Sequence, residues 1–296
     1  MTLEVVLLGT GSPMPSPNRW GPSQIITDGE TNILVDCGWG ATRRLFSTWG
    51  TALRPNTVHT LFFTHLHSDH ISDIVDLLVM RWTGGVRQPL TVYGPSGTQD
   101  VIDGARLVLK ADQGFRLAHH GDKLWDGGTE CVVQEITAGI EPAEAATIGG
   151  IRVKVFEVEH RPVFPAFGFR FEADGKSIVI SGDTNPCPGL LNGSRDADIL
   201  VCDSMHIPMM QQMEARLREV NPVSAELLVD AHDYHAHVGD VAKLAQEAGV
   251  KHLVLSHILP PIADEGPMVD MFTAGLDSVF KGKITVGKDL MRVPVE

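Results

Sequence analysis

The sequence predicts a mixed-sheet α/β domain, and three observations lead there. Short β-branched runs alternate with segments of helical periodicity. Several neighbouring strand segments are joined by turns too short to hold a crossover helix, which argues against a purely parallel sheet. Polar titratable groups also stand at the ends of apolar strands, the edge on which open α/β sheets build their sites. At 296 residues the chain can bury a sizeable core, and no linker, internal repeat or low-complexity segment divides it. Residues 1–296 are therefore expected to act as one domain.

Taken in order, Leu3 to Leu8 reads as the first strand. The segment GTGSPMPSPNRWGPS that follows is a loop rich in Gly, Pro and Ser. Its GTGS is too short for a nucleotide fingerprint and no helical pattern follows, which excludes dinucleotide binding. Ser23 to Ile26 and Asn32 to Val35 are two further strands separated by turn residues. Ile71, Ile74, Val75, Leu78, Val79 and Trp82 recur at helical spacing, and Gly84-Gly85 closes that helix. Near the other end, Val241 to Ala248 forms a helix that stops at Gly249 and feeds the strand His252 to Leu255.

Composition narrows the class of protein. Hydrophobic residues make up 43% and charged residues 21%, as in an ordinary globular chain. No apolar stretch approaches the roughly 18 residues of a membrane span. The N-terminus lacks a basic region and carries Glu4 inside its only apolar run, so it reads as a strand and not a signal peptide. Four cysteines, Cys37, Cys131, Cys187 and Cys202, form no CxxC pair and are expected as reduced thiols in a cytoplasmic protein. The net charge of −13, with no basic block, argues against a nucleic-acid partner.

The stretch THLHSDH, residues 64 to 70, follows the apolar run Val58-His59-Thr60-Leu61-Phe62-Phe63. If residues 64 to 69 stay extended, the period-two geometry puts His65, His67 and Asp69 on one side, and His70 can turn toward the same space where a helix begins. Neutral imidazole and carboxylate are the ligands that zinc and similar divalent ions take. His160 after IRVKVFEVE, Asp183 after SIVISG and His257 after HLVLS stand in the same context, close to the C-terminal end of an apolar strand. By contrast, His119-His120 has no strand before it and is expected in a loop or at an outer pocket.

The pattern His65-x-His67-x-Asp69-His70, with His160, Asp183 and His257 later, resembles the metallo-β-lactamase superfamily. GTGSP near the start, FGFRF after His160, SGDT at 181–184 and LVLSH at 253–257 are similar to its tRNase Z and arylsulfatase-like branch. The resemblance spans nearly the whole chain and implies an αββα sandwich of two mixed β-sheets flanked by helices, with metals in the cleft between the sheets. It implies that His65, His67 and His160 hold one divalent ion, that Asp69, His70 and His257 hold a second, and that Asp183 bridges them. It also counts Asp69 among the catalytic residues and suggests a homodimer. Zinc is the first choice for five imidazoles and two carboxylates, and manganese or iron fit the same set. Two such ions lower the pKa of a bridging water and steady charge on an ester oxygen, so hydrolysis by a metal-bridging hydroxide is the expected reaction.

In the branch resembled, a catalytic histidine precedes the last ligand by a fixed spacing that falls on His235. His237 lies two residues on in DAHDYHAHVGD and stays open as the proton donor. The acidic partner falls on Asp203, where the family more often has Glu preceded by His; here Cys202 precedes a shorter carboxylate. The same comparison bears on substrate. The exosite arm with which tRNase Z enzymes grip tRNA commonly lies between the equivalents of His160 and Asp183, and only RPVFPAFGFRFEADGKSIVISG stands there. Together with the charge, this leads to a small-molecule ester as the expected substrate, a phosphodiester or aryl sulfate first and a lactone next. The alternatives are tRNA 3′-processing and a non-catalytic metal-binding module. Trp82, Phe164, Phe167, Met205, Met209 and Met210, with His237, are candidates to line its pocket.

Overall fold

A computed structural model describes residues 3–14, 16–47 and 53–296. In chain order the strands are β1 (Glu4–Gly9), β2 (Ser23–Thr27), β3 (Asn32–Val35), β4 (Thr60–Phe62), β5 (Leu90–Gly94), β6 (Cys131–Glu135), β7 (Ala143–Ile148), β8 (Ile151–Glu157), β9 (Phe167–Ala173), β10 (Lys176–Ile180), β11 (Ile199–Met205), β12 (His252–Leu259), β13 (Lys283–Val286) and β14 (Met291–Pro294). They build two seven-stranded sheets, β14-β1-β2-β3-β4-β5-β6 and β13-β12-β11-β10-β9-β8-β7. Each sheet is mixed. In the first, β3 to β6 run parallel and β14, β1, β2 and β3 pair antiparallel; in the second, β10 to β13 are parallel and β7 to β10 antiparallel.

The helices are α1 (Ala41–Ser47), α2 (Ser68–Ile71), α3 (Ile74–Thr83), α4 (Thr98–His120), α5 (Pro188–Gly193), α6 (Ile207–Val220), α7 (Pro222–Asp230) and α8 (Val238–Ala248), with two short ones at Pro267–Thr273 and Leu276–Val279. Three apolar clusters set the layers. Ala41, Leu45, Leu77 and Leu109 from α1, α3 and α4 pack on the first sheet. Leu190 from α5 and Val241 and Ala245 from α8 pack on the second. Between the sheets, Val5, Ile33 and Phe62 meet Phe169, Ile178 and Val254. The order helix, sheet, sheet, helix is the αββα sandwich that the resemblance implies. With both faces covered, β2, β3 and β11 are buried along their whole length, so they appear in the sequence as unbroken apolar runs.

Three differences from the expected elements have local causes. The helix that begins near Ile71 is two pieces. Between them Asp73 turns out of the helical path, its backbone N–H donating to the Cys37 carbonyl and its carboxylate accepting from the Thr42 N–H at 2.6 Å. Helix α8 starts three residues earlier than Val241, because the His237 Nδ1 accepts the Gly239 N–H at 2.7 Å and caps it. His119 and His120, expected in a loop, are the last turn of α4.

Candidate metal centre

Residues 68 to 71 are helical, so the expected extension through Asp69 fails. His65 and His67 still come from extended backbone, whereas the first turn of α2 carries Asp69 and His70. Gly38 permits this approach: a Cβ there would lie 2.2 Å from the Asp69 carbonyl oxygen. His160, Asp183 and His257 come in from the second sheet. Pairing along β11 and β12 steps from Asp203–Ser256 to Ser204–Ile258, leaving His257 as the extra residue of a bulge at φ +48°. A bulge of this kind re-aims a side chain at a sheet edge.

All seven side chains named from the sequence meet in one place. His65 Nε2 lies 3.0 Å from His67 Nδ1, and His160 Nε2 lies 3.2 Å from that same atom. Asp183 Oδ2 is 3.3 Å from the Nε2 of both His70 and His257, and 3.8 and 4.0 Å from those of His65 and His160. Asp69 Oδ2 lies 3.3 Å from His257 Nε2 and 3.6 Å from His70 Nε2. A single carboxylate oxygen thus stands among four imidazoles.

The outer nitrogens of His70 and His160 are held by partners that the sequence reading missed. His70 Nδ1 bonds Asp36 at 2.8 Å, and Asp36 also accepts the Thr64 N–H and hydroxyl. His160 Nδ1 bonds the Tyr234 carbonyl at 3.0 Å. The signal for Asp36 was present, since it directly follows the apolar strand Asn32–Val35 as the other polar groups follow theirs. Nothing in the sequence marks a backbone carbonyl such as that of Tyr234.

The electrostatics and the donor set fit divalent ions. Burial, together with neighbouring histidines, holds His65 well below its ordinary range, and burial likewise lowers His67 and His160, keeping all three in the neutral, ligating form. Burial also opposes charge on His70 and His257, yet Asp183 and its neighbouring carboxylates override it and raise both, His257 to about 10. Asp183 is held well below the carboxylate range by His257 and His70 despite its burial. The carboxylates thus favour positive charge at this point of the site, the place that divalent cations would take, and binding of cations would displace protons from the ligands. His70 Nε2 is buried without a hydrogen-bond partner, as a ligand nitrogen aimed into such a site would be.

Beside this cluster, His235 Nδ1 bonds Asp203 Oδ2 at 2.8 Å, so the shorter carboxylate does reach. The His235 ring stacks on His257, with centroids 5.1 Å apart. His235 also falls within a ligand-distance group with Asp183, Asp203 and His257, but its Nδ1 is already engaged by Asp203. His237 is turned away as the helix cap described above, and His232 pairs with Glu214.

The residues expected to line an apolar pocket do not come together beside the metal cluster. Trp82 is buried with its indole N–H on the Trp125 carbonyl, and Phe167 lies in the core between the sheets. Met209 packs on the second sheet, while Met205 and Met210 fill a small cluster with Leu259. Each fills core volume, the ordinary use of Met and aromatic side chains. Of the six only Phe164 is exposed, beside the Arg161 guanidinium on the loop after His160.

Comparison with known proteins agrees with this geometry. The Beta-lactamase superfamily domain matches residues 31–258. A protein named Ribonuclease Z from Mycobacterium bovis is 38% identical over 297 residues, spanning 99% of this chain and 98% of its own. The chain belongs to the metallo-β-lactamase superfamily, in its ribonuclease Z branch. A further Ribonuclease Z, from Mycobacterium avium, is 36% identical over 99% of both chains. Among solved structures, the short form of human tRNase Z has a TM-score of 0.70 at 22% identity over 99% of both chains. The metallo-β-lactamase fold protein YhfI from Bacillus subtilis has a TM-score of 0.68 at 18% identity, covering 99% of this chain and all of its own. At those identities the two structures bear on the fold alone.

Membership makes the chain a metal-dependent hydrolase of ester bonds, with a His/Asp cluster for divalent metal. It also overturns one expectation. A small-molecule ester substrate and the exclusion of nucleic acid rested on net charge and on the short segment after His160. Relatives named Ribonuclease Z align end to end with this chain, which leaves no room in them for a long arm that it lacks. Net charge sums the whole surface, whereas phosphate contact needs only local cations. The aryl sulfate and lactone readings receive no support from these relatives.

Proposed function

We propose that this protein is a ribonuclease Z-type endonuclease, hydrolysing a phosphodiester bond at the 3′ end of precursor tRNA in the cytoplasm. Residues 1–296 act as one catalytic domain. The observation that carries this reading is the relationship to Ribonuclease Z, 38% identical along 99% of the chain. Two ions, zinc first, would be held by His65, His67 and His160 on one side, by Asp69, His70 and His257 on the other, and by Asp183 between them. Such ions supply Lewis acidity and a water nucleophile at neutral pH.

The remaining steps belong to the protein's own groups. Thr64, Asp36 and the Tyr234 carbonyl fix the rings of His65, His70 and His160, as outer partners of ligating histidines do. Asp203 holds the proton on His235 Nδ1, which leaves Nε2 to exchange a proton with the reaction. The ribose oxygen released from a phosphodiester is a poor leaving group, so delivery of a proton by His235 is worth roughly a hundredfold or more in rate. Asp69, 3.6 Å from His70 Nε2 and 3.3 Å from His257 Nε2, would help those rings to hold the second ion on which the chemistry depends.

A specificity measurement tests the proposal. kcat/KM for a 3′-extended precursor tRNA should exceed that for a small chromogenic phosphodiester by orders of magnitude. Equal or reversed values would overturn the tRNA assignment.

A further inference from the structure

An aromatic pair carried by the loops that pack on the Asp69–His70 backbone takes no part in the chemistry above. Trp20 and Trp39 stack with ring centroids 4.6 Å apart and planes 26° from parallel. Trp39 is 59% exposed, a large fraction for a side chain that would add to a core if it were turned inward. The pair is also rigidly seated. Gly40, at φ +88°, lies so close under Trp20 that a Cβ would fall 1.7 Å from the ring, and the Arg44 guanidinium sits 5.4 Å from the Trp20 centroid.

Two sets of backbone contacts tie this platform to the catalytic cleft. At Gly21 and Gly38, neighbours of Trp20 and Trp39, a Cβ would lie 3.1 and 2.2 Å from the Asp69 carbonyl oxygen, and the Cys37 N–H donates to the His70 carbonyl at 2.7 Å. On the other side, Asp289 accepts the Trp20 N–H and pairs with Arg44, while also binding the N–H and hydroxyl of Thr10. The Thr10 carbonyl accepts the Ile258 N–H, one residue from His257. The backbone that carries the platform is therefore fixed to the backbone of Asp69, His70 and Ile258, the segments that present one half of the cluster.

Resting on the proposed function, we infer that Trp39 is a stacking platform for an unpaired nucleobase of the RNA, beside the phosphodiester to be cut. One face of Trp39 is backed by Trp20, so the ring is oriented before substrate arrives and its exposed surface can receive a base. Single-stranded RNA is recognised in this way, with splayed bases stacked on aromatic rings and guanidinium groups near the phosphates. Arg44, paired with Asp289 at 2.9 Å, braces the far side of Trp20 and so helps to hold the platform in place.

The test compares wild type, Trp39→Ala and Trp39→Phe on precursor tRNAs that carry either every base or one abasic nucleotide, stepped through the positions flanking the cut. Trp39→Ala should raise KM at least about fivefold on intact RNA, with Trp39→Phe restoring most of the loss, as base–aromatic stacking predicts. With the abasic nucleotide at the stacked position, wild type and Trp39→Ala should become equal. A wild type that cleaves RNA while Trp39→Ala is unimpaired overturns this inference alone. So does a loss that is the same at every abasic position, which would mark a structural role. A wild type that leaves all RNA intact overturns the proposed function first, and the inference with it.

Discussion

Asp203 lies between two histidines of different duty: one carboxylate oxygen bonds His235 Nδ1 at 2.8 Å and the other faces His257 Nδ1 at 3.4 Å. The same buried side chain therefore orients the proposed proton donor and supports the ring of a proposed metal ligand. Burial opposes its charge, yet His235 and His257 hold its pKa below the ordinary carboxylate value, so it stays ionised between them.

His235→Ala should depress the rate roughly a hundredfold on RNA while metal content is unchanged. The loss should be small for nitrophenyl phosphodiesters, whose leaving group departs as an anion. Asp203→Asn should show a weaker form of the same pattern. Steady-state rates across leaving groups of graded pKa, with metal analysis of each variant, check this. A uniform loss would make His235 a positioning residue, and loss of an ion would make it a ligand.

Asp36→Ala should weaken metal affinity by roughly 10- to 100-fold, the usual effect of removing the partner that orients a ligating histidine. His70 is the ring it holds. Competition with a chromophoric chelator measures this, and an unchanged affinity would show that His70 needs no such support.

How much of the centre was legible depended on where each residue's geometry originates. His65, His67, His160 and Asp183 were readable because each follows an apolar strand closely, and a polar group after an apolar run is visible in sequence; His257 was found by the same pattern although a bulge inside β12 sets its direction. Asp69 was found by type but misplaced in backbone, since the turn of α2 is seated by the close approach of Gly38 to the Asp69 carbonyl, a tertiary contact that sequence does not show. Buried Trp82, Phe167 and Met205 were indistinguishable from pocket residues, because sequence shows apolarity but not which side of a layer receives it. The partner was misjudged for a similar reason: a net charge carries no information about where the cations lie.

Acid should destabilise the fold partly through His252. Burial, with Lys283 nearby, lowers its pKa from 6.5 to about 4, while its Nε2 lies 2.9 Å from the Thr285 hydroxyl. The unfolded chain therefore binds this proton more readily, and the stability contributed by neutral His252 above pH 6.5 is lost as pH falls toward 4. Urea midpoints of wild type and His252→Gln across that range isolate the effect. The wild type should show the steeper decline, and parallel curves would remove His252 from the account.

Metal titration of RNA cleavage tests the central claim most directly. Chelator-treated protein should leave a 3′-extended precursor tRNA intact. Added zinc should restore cleavage at the 3′ end, saturating at two ions per chain, and Asp183→Asn should abolish the response. Protein that binds both ions and still leaves the precursor uncut, or that cuts it equally well without metal, would contradict the account.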